Sequence, residues 1–185
     1  MGHEPANTDR RKLLQSASDL ALAQVALNTV AATPAGQVGD FDFLAGHWKI
    51  RHRRLKQPGG SEWELFDGEA TCWTVLKGVG SIEELRVPAR DFIGMGIRLL
   101  DLEKKVWSDY WVAGRSGVLA PPGMTGAFEG GVGTFMADDV DGDQPIKVRG
   151  VWDRITPSAC RWRQGLSRDG GKTWAEDWFM EWTRA

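Results

Sequence analysis

Three histidines, two cysteines and a single tyrosine in 185 residues leave little material for metal or thiol chemistry. The histidines are His3, His47 and His52. His47 and His52 are five residues apart, so on one strand they face opposite ways and cannot chelate the same ion. Cys72 and Cys160 have no neighbours at zinc-ligand spacing, and buried free thiols are the simplest reading. Neither a metal nor a cofactor is therefore expected. Basic charge is not in excess either: 23 Lys and Arg face 25 Asp and Glu, a net charge of −2, which argues against a nucleic-acid partner. No apolar run reaches the ~18 residues of a membrane span. Gly-x-Ser-x-Gly, the phosphate loop, Gly-x-Gly-x-x-Gly and His-Glu-x-x-His are all missing, so the chemistries they carry lack their motifs.

Tryptophan and glycine are abundant, ten and 23 respectively. From Asp40 onward, residues 46–56, 62–77, 79–87, 92–102, 105–113, 127–137, 146–156, 158–168 and 174–184 show period-two alternation. Pro58-Gly59-Gly60, Pro121-Pro122-Gly123, Asp141-Gly142-Asp143 and Asp169-Gly170-Gly171 punctuate them. Short strands joined by short turns, with no helical period between them, predict an all-β chain. The architecture expected is a closed antiparallel up-and-down barrel of about eight to ten strands, spanning residues 40–185. Residues 1–39 form a separate helix-like or signal-like segment. Arg10-Arg11 followed by moderately apolar residues and Thr33-Pro34-Ala35 fits a twin-arginine export signal, which would send the protein to the periplasm. Asp19, Gln24 and Asn28 interrupt the apolar stretch and favour a retained amphipathic helix, with Leu13, Leu14, Ala17, Leu20, Ala21 and Leu27 on one face, in a cytoplasmic protein.

Alternation also assigns faces. Trp48, Ile50, His52 and Arg54 share one side of the first strand. Trp107, Asp109 and Trp111 lie together, as do Trp162, Gln164 and Leu166. In the last strand Trp174, Trp178, Met180, Trp182 and Arg184 fall with Glu176. Indoles interspersed with His, Arg, Gln and Asp describe an apolar cavity with a few placed polar groups. The candidate ligand-binding residues are Trp48, His52, Arg54, Trp73, Trp111, Arg149, Trp152, Gln164 and Trp178. Asp109 stands where an apolar residue is expected, and a carboxylate there is costly unless it is paired or protonated.

Two motifs read as structural. Ser167-Arg168-Asp169-Gly170-Gly171-Lys172-Thr173-Trp174 matches the Asp-box pattern, but a propeller needs several such repeats and this chain has one, so it marks a hairpin. The acidic run 138–143 would need glycine and glutamate where Gln144 and Gly150 stand to form an EF-hand counted from Asp139, so it reads as a solvated hairpin tip. Alternation likewise splits Arg51-His52-Arg53-Arg54 between two faces.

Phe41-Asp42-Phe43-Leu44-Ala45-Gly46-His47-Trp48 at the first strand, with Trp182-Thr183-Arg184 at the last, resembles the closure signature of calycins, the lipocalin-like barrels. In them an arginine lies across the first-strand indole and seals one end, which assigns Trp48 and Arg184 to closure. Together with His52-Arg53-Arg54-Leu55, Trp107 to Trp111, Pro121-Pro122, Val148-Arg149 with Trp152, and Ser167 to Trp178, these features resemble a bacterial family of lipocalin-like proteins with no assigned activity. The resemblance covers residues 40–185. It implies the barrel and the holding of an apolar molecule. Heme-binding nitrobindins share the calycin barrel and use a late histidine as iron ligand, and this chain has none.

The leading functional expectation is a binding protein for a small apolar, aromatic or acyl, ligand. The alternative is a cofactor-independent isomerase, cyclase or lyase. It would use His52 as base, with Asp109, Glu83 or Glu84 orienting it and Arg54 or Arg149 holding an oxyanion. A third reading is a partner-binding module in which the N-terminal helix packs on a neighbouring subunit to form a homodimer.

Overall fold

Alternation carries directly into strands. The structure, a computed structural model, describes residues 34–185. The helix and signal readings of residues 8–32 lie outside them. Ten strands follow one another: β1 (Gly46–Leu55), β2 (Trp63–Val75), β3 (Gly80–Val87), β4 (Phe92–Asp101), β5 (Val106–Ala113), β6 (Met124–Glu129), β7 (Val132–Asp141), β8 (Gln144–Asp153), β9 (Ala159–Ser167) and β10 (Ala175–Arg184). Each pairs antiparallel with its sequence neighbours, and β1 pairs with β10 to close the barrel. No helix among the described residues is long and apolar enough to cross a membrane.

Segment 127–137, expected to be one strand, is the end of β6 and the start of β7. Gly130 and Gly131 turn the chain with φ of 57° and 79°, a left-handed conformation that a residue with Cβ adopts at a cost. The turn changes the phase of the alternation, so Phe128 and Phe135 both reach the core although they are seven positions apart.

One end of the barrel is filled with aromatic rings. The 3-10 turn Asp42–Leu44 places Phe41 and Leu44 inside it. Phe41 meets Trp107 and Phe128 edge to face, with centroids 4.9 and 5.0 Å apart. Trp48 is 1% exposed, and its Nε1–H donates to the Leu44 carbonyl at 2.7 Å. β1–β10 register sets Trp48 opposite Arg184, whose guanidinium carbon lies 4.0 Å from the indole centroid. The same guanidinium donates to the carbonyls of Phe43 (2.7 Å) and Ala45, in the segment entering the first strand, and of Pro157 (3.1 Å), in the β8–β9 loop. The chain joins the barrel ahead of β1, where Gly36 N–H donates to the Lys105 carbonyl at 2.7 Å.

The outer wall of β8–β10 carries a ladder of ion pairs. Asp153 holds Arg161 at 2.7 Å and Arg163 at 3.2 Å, and Glu176 holds Arg149 at 2.7 Å and Arg163. Simple alternation puts Glu176 on the face of Trp178. A bulge between Glu176 and Trp178 adds one residue to β10, which turns Glu176 to the opposite side. The Asp-box is a single hairpin: Asp169 accepts from the backbone N–H groups of Lys172 (3.0 Å) and Thr173 (2.9 Å) and from the Thr173 hydroxyl (2.7 Å). These bonds hold the Asp169 carboxyl well below the usual carboxylate range. The acidic run 138–143 forms the β7–β8 hairpin, where Lys147 pairs with Asp138 at 2.6 Å and Arg168 pairs with Asp141.

Candidate ligand cavity

Beyond the plugged end, the barrel holds a half-open cavity of about 500 Å³. That falls within the roughly 300–1,000 Å³ typical of small-molecule sites. β8, β9 and β10 supply four of its five indoles: Trp152, Trp162, Trp178 and Trp182. Phe92 and Trp111 stack at 6.0 Å and 8° on another part of the wall. The Trp111 ring lies over Gly94, where an added Cβ would come within 2.0 Å of it. β5 and β6 pair only between Trp107–Asp109 and Met124–Gly126, and Ala120, Pro122 and Gly123 of the connecting loop complete the lining there.

The most consequential lining group is one the sequence reading did not single out. Arg98 of β4 is 4% exposed, and its Nη2 donates to Glu83 Oε2 at 2.5 Å. Its Nε lies 3.4 Å from Asp109 Oδ1, and all three residues line the cavity. Register explains the cluster: Arg98 sits directly opposite Asp109, while Glu83 faces Gly96, one diagonal step away. Burial opposes the Arg98 charge, but Asp109 and Glu83 outweigh it and hold its pKa above the ordinary value. Burial pushes the Asp109 pKa up, assisted by Glu83 and resisted by Arg98. The costly carboxylate of the sequence reading is thus paired. Four donor atoms of lining residues or of the cluster, Arg98 Nε and Nη1 and the indole nitrogens of Trp152 and Trp182, are buried without a hydrogen-bond partner among the described residues.

His52 sits in the wall with 0% exposure, not on the cavity surface. Its ring stacks on Phe66 at 4.5 Å and 8°, and the Arg90 guanidinium covers the other ring 3.7 Å from its centroid. Trp178 Nε1 donates to His52 Nδ1 at 3.2 Å, so the neutral imidazole carries its proton on Nε2. Burial first, then the nearby Arg90 and Arg54 charges against Asp67, lower its pKa to about 4. The carboxylate partner imagined for it is elsewhere: Asp109 pairs with Arg98.

The other candidates separate clearly. Arg54, Trp111, Trp152, Gln164 and Trp178 line the cavity together with Asp109. Arg54 stands 4.6 Å over the Trp178 ring, and Gln164 donates to Asp177 at 3.2 Å. Trp48 belongs to the plugged end. Trp73 is 48% exposed and lies on the outer face, because its strand turns Ala70 and Cys72 inward. Arg149 is also outside, 4.3 Å over Trp174 and paired with Glu176. Cys72 and Cys160 are free and buried, and burial raises both pKa values, that of Cys160 to about 12, which leaves inert thiols.

Fold and cavity together define a closed ten-stranded antiparallel barrel with an aromatic pocket and an internal ion cluster. No protein-family model matches the chain, and no curated protein matches it. Among solved structures it is similar to a protein of unknown function from the DUF3598 family of Nostoc punctiforme, at 12% identity and a TM-score of 0.44. The match covers 82% of this chain and 50% of that one, so the chain spans about half the length of that protein.

Proposed function

We propose that this protein binds a small, largely apolar molecule, aromatic or acyl in character, inside a lipocalin-like barrel. The observation that carries this reading is the 500 Å³ cavity bounded by Trp152, Trp162, Trp178 and Trp182, with Arg98, Asp109 and Gln164 as its placed polar groups. The calycin assignment draws support from Arg184 over Trp48. Binding is favoured over catalysis because the expected base, His52, holds a bond from Trp178, the carboxylate of Asp109 is paired with Arg98, and the imidazole loses its proton well below neutrality. Native mass spectrometry of the protein purified without organic additives tests the reading. One small molecule retained per chain is the expected result. A bare chain that also fails to take up naphthalene would refute it.

A further inference from the structure

We infer that the ligand presents an uncharged acceptor oxygen, a ketone, ester, amide or ether, to the Arg98 end of the cavity, and that the site rejects carboxylates. The inference rests on the binding reading above and deepens it. Two independent observations point the same way. The first is a surplus of donors: Arg98 Nη1, Trp152 Nε1 and Trp182 Nε1 are buried and unpartnered among the described residues, and all three residues line the same cavity. A buried donor without a protein acceptor loses its hydration with no return, so a ligand that supplies an acceptor oxygen there satisfies it.

The second is the local charge. Glu83 and Asp109 bring two carboxylates to one guanidinium, a net charge of −1 when both are ionised. Arg98 is 4% exposed, and its charge is already committed to partners at 2.5 and 3.4 Å. A ligand carboxylate would place a third negative group beside them in a medium of low dielectric, where like charges repel strongly. A neutral oxygen accepts the same hydrogen bonds with no such repulsion. Arg54 is the other cation on the cavity surface, and it lies over the Trp178 ring.

Three probes that differ only in the head group test the inference: naphthalene, 2-acetylnaphthalene and 2-naphthoate, each titrated into the full chain at pH 7.5 and followed by quenching of tryptophan fluorescence. The ketone is expected to bind about tenfold more tightly than the hydrocarbon, and the carboxylate about tenfold more weakly. Asp109→Asn, with Glu83→Gln as a second variant, removes one negative charge and should narrow the gap between ketone and carboxylate by about fivefold or more. If 2-naphthoate binds as well as the ketone, or the gap survives both substitutions, the inference is overturned. If naphthalene binds but the ketone gains nothing, the inference fails while the binding reading stands. If none of the three binds, both fail.

Discussion

His52 gives this protein a specific sensitivity to lowered pH. The imidazole is 0% exposed, with Phe66 stacked on it and Trp178 donating to Nδ1. Its pKa falls from 6.5 to about 4 in the fold, so the folded state favours the neutral ring. Above pH 6.5 both states are neutral and the full stability is present. Between 6.5 and 4 the unfolded chain takes up a proton that the folded chain refuses, and stability declines. Below 4 both are protonated and the loss levels off. A shift of this size corresponds to about 3 kcal/mol. The assay is urea unfolding of wild type and His52→Gln at intervals from pH 7.5 to 3.5. Groups away from position 52, Asp109 and Asp169 among them, are common to both proteins, so the difference curve isolates His52. Wild type should lose about 3 kcal/mol relative to the variant across that window. Parallel curves, or a His52 ring signal that titrates near 6.5 by NMR, would refute the buried placement from which the shift follows.

Other substitutions probe the frame around the cavity. Arg184→Ala removes the contact with Trp48 and the donors to Phe43, Ala45 and Pro157; a loss of about 2–4 kcal/mol should appear as a lower Tm, while naphthalene affinity stays within about threefold. Glu83→Leu leaves the buried Arg98 with one carboxylate, and chemical unfolding should show a loss of about 3–5 kcal/mol, whereas an exposed arginine would tolerate the change. Asp169→Ala should lower the urea midpoint at neutral pH. That difference should shrink as the medium is acidified, because a carboxylate with a depressed pKa stabilises the fold above its unfolded pKa and ceases to do so once protonated.

The barrel was legible because strand signals are local. Alternation, the Pro and Gly turns, and a tryptophan and an arginine at the two ends of the repetitive region each act within a few residues. The errors arose where one residue changes the phase. The bulge at β10 moved Glu176 to the outer face, and the Gly130–Gly131 turn divided a segment read as one strand. Trp73 and Arg149 illustrate a second limit: alternation separates two faces without saying which one turns inward, and both side chains lie on the outer face. Arg98 was missed for a third reason. Its burial is tolerable only with Glu83 and Asp109, and those contacts follow from the register of three strands. Phe92-Ile93-Gly94-Met95-Gly96-Ile97-Arg98 did carry a hint, since an inward face with two glycines leaves room for a long side chain and for the Trp111 ring.

Ten indole N–H groups are built-in reporters for the central claim that the aromatic interior is a binding site. In a ¹H–¹⁵N spectrum of the full chain with assigned indole signals, titration with 2-acetylnaphthalene should shift those of Trp111, Trp152, Trp162, Trp178 and Trp182 saturably, with one common Kd. The signals of Trp63, Trp73 and Trp174, which are not part of the cavity lining, should stay in place. Saturable shifts confined to Trp63, Trp73 or Trp174, or no saturable shift at any indole, would contradict the account.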